Sequence, residues 1–143
     1  MKKVFLFVFA SILISSCSIE SKPINYGTDA CDFCKMSIVD QIHGAEIVTS
    51  KGKVYKFDAI ECMINYSDEM SKEQPQLFLT NHYHTPKELI NAETASFLIS
   101  ENLPSPMGEF ITAFENESLA QEAQKEHDGK VYTWKALVEQ QSK

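Results

Sequence analysis

The sequence predicts an α+β fold built from two small related β-β-α units, with antiparallel strands and short helices. Runs of β-branched and aromatic residues recur between glycine-marked turns, the pattern of short strands. One stretch, Ala59 to Met70, carries apolar residues at helical spacing, and a second helix is read from its cap and acidic first turn. A nine-residue motif also returns: Gly52-Lys53-Val54-Tyr55-Lys56-Phe57-Asp58-Ala59-Ile60 reappears 77 residues on as Gly129-Lys130-Val131-Tyr132-Thr133-Trp134-Lys135-Ala136-Leu137, identical at five of nine positions. In each copy a glycine opens a turn, a β-branched and aromatic run makes a strand, and a helix follows.

Taken in order, Ala45 to Ser50 reads as a strand, Ser50-Lys51-Gly52 as a hairpin turn and Val54 onward as the return strand. Asp58 is expected to cap a helix over Ala59 to Met70, whose Ile60, Met63 and Ile64 keep helical spacing. Leu77 to Thr80, Leu89 to Ala92, Ser96 to Ser100 and Phe110 to Phe114 read as further short strands. Asn116 is placed to cap a helix over Glu117 to His127. That helix is inserted where the first copy has a tight turn, so the second copy is split. The domain is expected over residues 29–143, its two units at about 29–84 and 85–143.

The N-terminus predicts the compartment. Lys2 and Lys3 precede an apolar run from Val4 to Ile14, eleven residues, too short to span a bilayer core of about 30 Å. Ile14-Ser15-Ser16-Cys17 then has the form of a bacterial lipoprotein cleavage site. Residues 1–16 are therefore expected to be removed and Cys17 to carry lipid, with residues 17–28 as a tether rich in Ser, Lys, Pro and Gly. Two acyl chains give stable anchoring. With Ser18 rather than Asp after Cys17, a periplasm-facing outer-membrane location is expected ahead of an inner-membrane one.

Composition narrows the function. Thirteen cations face 20 acids, net −7, which becomes −9 once Lys2 and Lys3 are removed with the signal. Every cation is lysine. A chain without arginine or a basic face is not a nucleic-acid binder, whereas an acidic one suits a cationic ligand.

Beyond Cys17 three cysteines remain, Cys31, Cys34 and Cys62, an odd number for a disulfide framework. Cys31-Asp32-Phe33-Cys34-Lys35-Met36 places two thiols and a thioether within six residues, the soft donor set that favours Cu(I). Zinc would call for a second Cys or His pair at finger spacing. The same Cys-x-x-Cys would serve a thioredoxin-type redox centre if it opened a helix, or a disulfide stapling the loop. Met107 lies in Leu103-Pro104-Ser105-Pro106-Met107-Gly108, where core packing does not explain it, whereas Met63 and Met70 suit a packed helix face. His82 and His84, flanking Tyr83, are accessory-ligand candidates or exposed turn residues. No Ser/His/Asp order, phosphate loop or paired-carboxylate motif argues for an enzyme, and no catalytic residue is assigned.

Three motifs in order, Tyr26-Gly27-x-Asp29-x-Cys31-x-x-Cys34-x-Met36, Lys56-Phe57-Asp58-x-Ile60-x-Cys62-Met63, and Ser105-Pro106-Met107-Gly108 with Ala113-Phe114, resemble the NosL family of copper-chaperone lipoproteins that serve nitrous-oxide reductase. The resemblance runs through the whole chain after the signal. It implies a fold of two related β/α units shared with the organomercury lyases. It also implies one bound Cu(I), passed through an ABC-type membrane complex to a recipient cuproenzyme. It implies Cys34, Met36 and Met107 as copper ligands, with Cys31 as a further ligand or as a partner of Cys34 in a disulfide. Cys62 is read as a small buried residue of the helix. The rival expectation is an enzyme, a thiol-disulfide oxidoreductase using Cys31 and Cys34 or, by analogy with the shared fold alone, a lyase on which Cys34, Cys62 and Asp58 would converge.

Overall fold

The computed structural model describes residues 18–142; the signal sequence and the lipidated cysteine expected within residues 1–17 lie outside the described residues. The chain is α+β. Its elements run β1 (Ala45–Thr49), β2 (Val54–Phe57), α1 (Ile60–Glu69), β3 (Pro75–Asn81), β4 (Leu89–Asn91), β5 (Ser96–Ile99), β6 (Ile111–Phe114), α2 (Glu117–His127), β7 (Lys130–Thr133) and α3 (Trp134–Gln141). They form a four-stranded sheet in the order β2-β1-β3-β4 and a three-stranded sheet in the order β6-β5-β7, with every pairing antiparallel.

Both sheets are wound the same way. The first strand is central, the next pairs on one side, and a helix carries the chain across to pair on the other. The β1–β2 hairpin closes over Gly52 in the left-handed region, at φ 76°, with its N–H bonded to the Thr49 carbonyl at 2.9 Å. Connectivity therefore makes β6 the counterpart of β2. The sequence repeat instead matches β2–α1 to β7–α3, and β7 pairs with β5, not with β6. The reason is α2, which lifts the chain over β5 to its free edge. Leu89–Asn91 pairs with β3, so the first sheet runs through residue 91.

The sheets share one core. α1 packs on β1 and β2 of the first sheet, on β6 of the second and on α3. Its first turn is accordingly buried on every side, from Ile60 to Ile64. Ile47, Phe57, Ile60, Met63, Ile64, Phe97, Ile111 and Leu137 form one continuous cluster, each contributing about 2 kcal/mol on removal from water. Leu98, Phe114, Ala120 and Ala123 make a smaller one under α2. Asn116 caps α2 as expected, accepting from the Leu119 N–H at 3.1 Å.

The segment before β1 lies on the sheet rather than hanging free. Ile24 is buried, the Tyr26 hydroxyl donates to Asn81 at 2.8 Å and the Lys22 N–H to Glu46 at 3.2 Å. Contact with the sheet thus begins within the stretch expected to be a tether. All five residues of β1 are buried, including Glu46, which strand alternation alone would leave facing water and which the Lys22 N–H meets.

Candidate metal centre

The Cys-x-x-Cys loop is built from turns and fastened to β2. Ala30 and Ser37 form an isolated antiparallel bridge. Between them the Cys31 N–H bonds to the Met36 carbonyl at 2.8 Å and the Lys35 N–H to the Cys31 carbonyl at 3.0 Å. Lys35 takes the left-handed conformation, φ 68°, that lets the chain turn back. Asp32 then docks the loop as a strand would, its N–H on the Lys56 carbonyl and its carboxylate on the Lys56 N–H, both at 2.8 Å. Lys56 Nζ reaches Asp29 at 2.6 Å, and that bond holds the Asp29 carboxyl below its usual range.

The docked loop brings both of its thiols to the first turn of α1. Ligand atoms of Cys31, Cys34, Cys62 and Asp58 all lie within 4.8 Å of one another. Cys31 and Cys62 are each 1% exposed and Cys34 is partly open, so the group is closed on the core side and reached past Cys34. All three cysteines are free.

Asp58 corrects one sequence expectation. It does not cap α1: Ala59 holds the cap position and no side chain bonds there. The Asp58 carboxylate is buried and accepts the Cys34 thiol at 3.4 Å instead. The thiol competes successfully for that carboxylate because the loop is pinned directly beside it by Asp32.

The three thiols are not equivalent. The Cys31 thiol is drawn down to about 6, first by the hydrogen bond from the Cys62 thiol and then by the N–H groups of Asp58, Cys34 and Phe33, against the cost of burial. Cys62, which supplies that bond, is pushed far up. Cys34 is pushed up to about 11, chiefly by burial, with the Cys31 and Asp58 hydrogen bonds adding to it. The shared hydrogen bonds therefore favour negative charge on Cys31 over Cys34 and Cys62. The N-terminus of α1 adds favourable potential for that negative charge. No helix begins at the Cys-x-x-Cys pair itself; the helix that serves it starts 26 positions after Cys34, at Ile60.

Of the residues predicted as ligands, Cys31 and Cys34 stand in the group. Met36 presents its backbone N–H to the Cys34 sulfur and leaves its side chain 47% exposed. Met107 is 39% exposed on a turn closed by the Gly108 N–H on the Ser105 carbonyl at 3.1 Å. Cys62 is buried on the helix, as read, and its thiol is a full member of the group. Asp58, expected as a cap of α1 and grouped with Cys34 and Cys62 only in the lyase alternative, is a member of the group. The signal for both was their four-residue spacing across the start of α1. His82 is wholly buried with its ring nitrogens unbonded, and His84 is exposed, so the two do not share one face. Among the described residues neither joins a cluster of three metal-binding side chains.

Fold and site together define a class: a two-sheet α+β protein with a thiol-rich candidate metal centre at one helix N-terminus. The chain belongs to the NosL family, whose model matches residues 24–142. Its fold is similar to that of the copper chaperone NosL from Shewanella denitrificans, with a TM-score of 0.70 at 22% identity, covering 82% of this chain and 95% of that one. No curated protein matches it.

Proposed function

We infer that the protein is a copper chaperone of the bacterial envelope, carrying Cu(I) and giving it up during maturation of a cuproenzyme, with nitrous-oxide reductase as the recipient. The observation that carries this reading is the convergence of three thiols and a carboxylate within 4.8 Å. Thiols are soft donors and select a soft ion, and the similar Shewanella fold belongs to a copper chaperone.

Cys31, the thiol drawn down by its neighbours, offers Cu(I) its first bond. Binding by Cys62 and Cys34 then displaces one proton each, and the Cys34 proton already points to the Asp58 carboxylate. Met36 and Met107 offer exposed thioethers, weaker ligands that take the ion without closing it in. A site of strong thiols, two of them buried, and weak exposed thioethers holds copper and still releases it. The chain's net charge of −7 favours the approach of a cation. Diacylated Cys17 would keep the protein on the periplasmic face of the outer membrane, within reach of an ABC-type maturation complex. No turnover is assigned.

The Cys31 thiol at about 6 favours one other reading, a thiol-disulfide oxidoreductase. One experiment separates the two. The reduced protein lacking residues 1–17 is titrated with Cu(I) and with Zn(II) against a chromogenic chelator, and assayed for insulin reduction. One tightly held Cu(I), weak zinc and no insulin reduction support the chaperone. Equal affinity for zinc, or reduction abolished by Cys31→Ser, overturns it.

A further inference from the structure

We propose that Glu61 is a positioning residue for this centre: through Ser105 it holds the loop that carries Met107 against the turn of α1 that carries Cys62. The proposal rests on the reading above, in which Met107 is a thioether ligand. Glu61 precedes Cys62 and is 2% exposed. Among the described residues it forms no salt bridge, and its Oε2 has no hydrogen-bond partner. A carboxylate buried in this way is costly, and an apolar residue would fill the core at less expense. What Glu61 does make is a contact across 44 positions: the Ser105 hydroxyl donates to its Oε1 at 2.8 Å.

That hydroxyl is also the knot of the methionine loop. It accepts the Phe110 N–H at 2.9 Å, and the Glu109 N–H faces the same Glu61 carboxylate. The two ends of the segment Ser105–Phe110 are thus closed on the Ser105 hydroxyl, which is itself tied to one side chain of α1. The segment needs such a tie, because Phe110 sits at φ 60° and Gly108 at φ 83°. A bulky residue in the left-handed region persists only where its surroundings hold it there. Met107, 39% exposed, has no core packing of its own to place it. The anchor of the loop therefore decides where the thioether stands.

The test compares Cu(I) affinity and the number of sulfur ligands at copper, read by X-ray absorption, for Glu61→Ala, Glu61→Gln, Ser105→Ala, Met107→Leu and the double variant Glu61→Ala with Met107→Leu. Loss of an orienting partner lowers metal affinity by about 10-fold or more. Glu61→Ala and Ser105→Ala should each show that loss together with one fewer sulfur, as Met107→Leu does. Glu61→Gln keeps the Oε1 acceptor and should restore both readouts. The double variant should bind no more weakly than Met107→Leu alone. Normal binding by Ser105→Ala beside weakened Met107→Leu, or additive losses in the double variant, overturns the positioning role and leaves the chaperone reading intact. Normal binding by Met107→Leu removes the thioether ligand, and this proposal with it. Should Glu61→Ala fail to fold, Ser105→Ala alone decides.

Discussion

At the scale of single residues, the chemistry of the centre rests on Asp58 and Cys62 as much as on the Cys-x-x-Cys pair. Cys62→Ala should abolish tight Cu(I) binding and also return the Cys31 thiol toward its ordinary 9.0, since the bond from Cys62 is the largest cause of its depression and alanine has no donor to replace it. Thiolate absorbance in the ultraviolet, followed against pH, reads that shift directly. Glu46 supports a second prediction. Burial raises its carboxyl to about 7 from 4.5. Between those values the folded chain binds more protons than the unfolded one, so stability falls as pH rises through that window. At the full shift from 4.5 to about 7 the loss is about 3 kcal/mol. Melting curves should therefore show Glu46→Gln matching the wild type at pH 4 and exceeding it at pH 8. Equal curves at both would mean that the carboxyl is not desolvated. Glu46 was illegible in the sequence, because alternation along β1 assigns it to solvent, whereas in the fold it is buried and the Lys22 N–H meets it.

At the scale of elements, local chemistry and long-range pairing divide the work. α2 needed nothing beyond its own residues: Asn116 to cap it, Glu117 in its first turn, Lys125 and His127 in its last. Asn116→Ala should lower stability by about 1 kcal/mol, measured by urea unfolding, without touching copper binding. Gly129 is the opposite case, fixed by a neighbour far away. A Cβ there would lie 2.2 Å from the Ile99 carbonyl oxygen, at φ 98°. Gly129→Ala should thus cost roughly 2–3 kcal/mol or more, with loss of amide protection along β7 and β5. The repeated glycine motif announced a turn at both copies, but not that the second turn presses against β5.

At the scale of the whole molecule, the core and the centre are one construction. α1 touches both sheets, and its first turn carries Cys62 and Glu61 between them. On the copper-chaperone reading, Cu(I) held there would stabilise the native state, by about 4 kcal/mol when free Cu(I) exceeds its dissociation constant a thousandfold, less whatever the unfolded cysteines retain. The melting temperature should accordingly rise with Cu(I) in the wild type and stay unchanged in Cys31→Ser/Cys62→Ser. A rise that survived that double substitution would place the ion elsewhere.

Strand and helix positions, the two-unit α+β plan and the pair of thiols in the loop were all legible in the sequence, because each is set by residues a few positions apart. Alternation, helical spacing, turn glycines and Cys-x-x-Cys are local signals. The order of the strands, with β5 between β6 and β7, was not, since it depends on where α2 sets the chain down. Nor was the turning of Asp58 from cap to thiol acceptor, which required the loop to be docked on Lys56, 24 positions from Asp32. Tertiary structure alone made a four-donor centre from two separate motifs, because only packing brings the thiols of residues 31 and 34 to the thiol of residue 62.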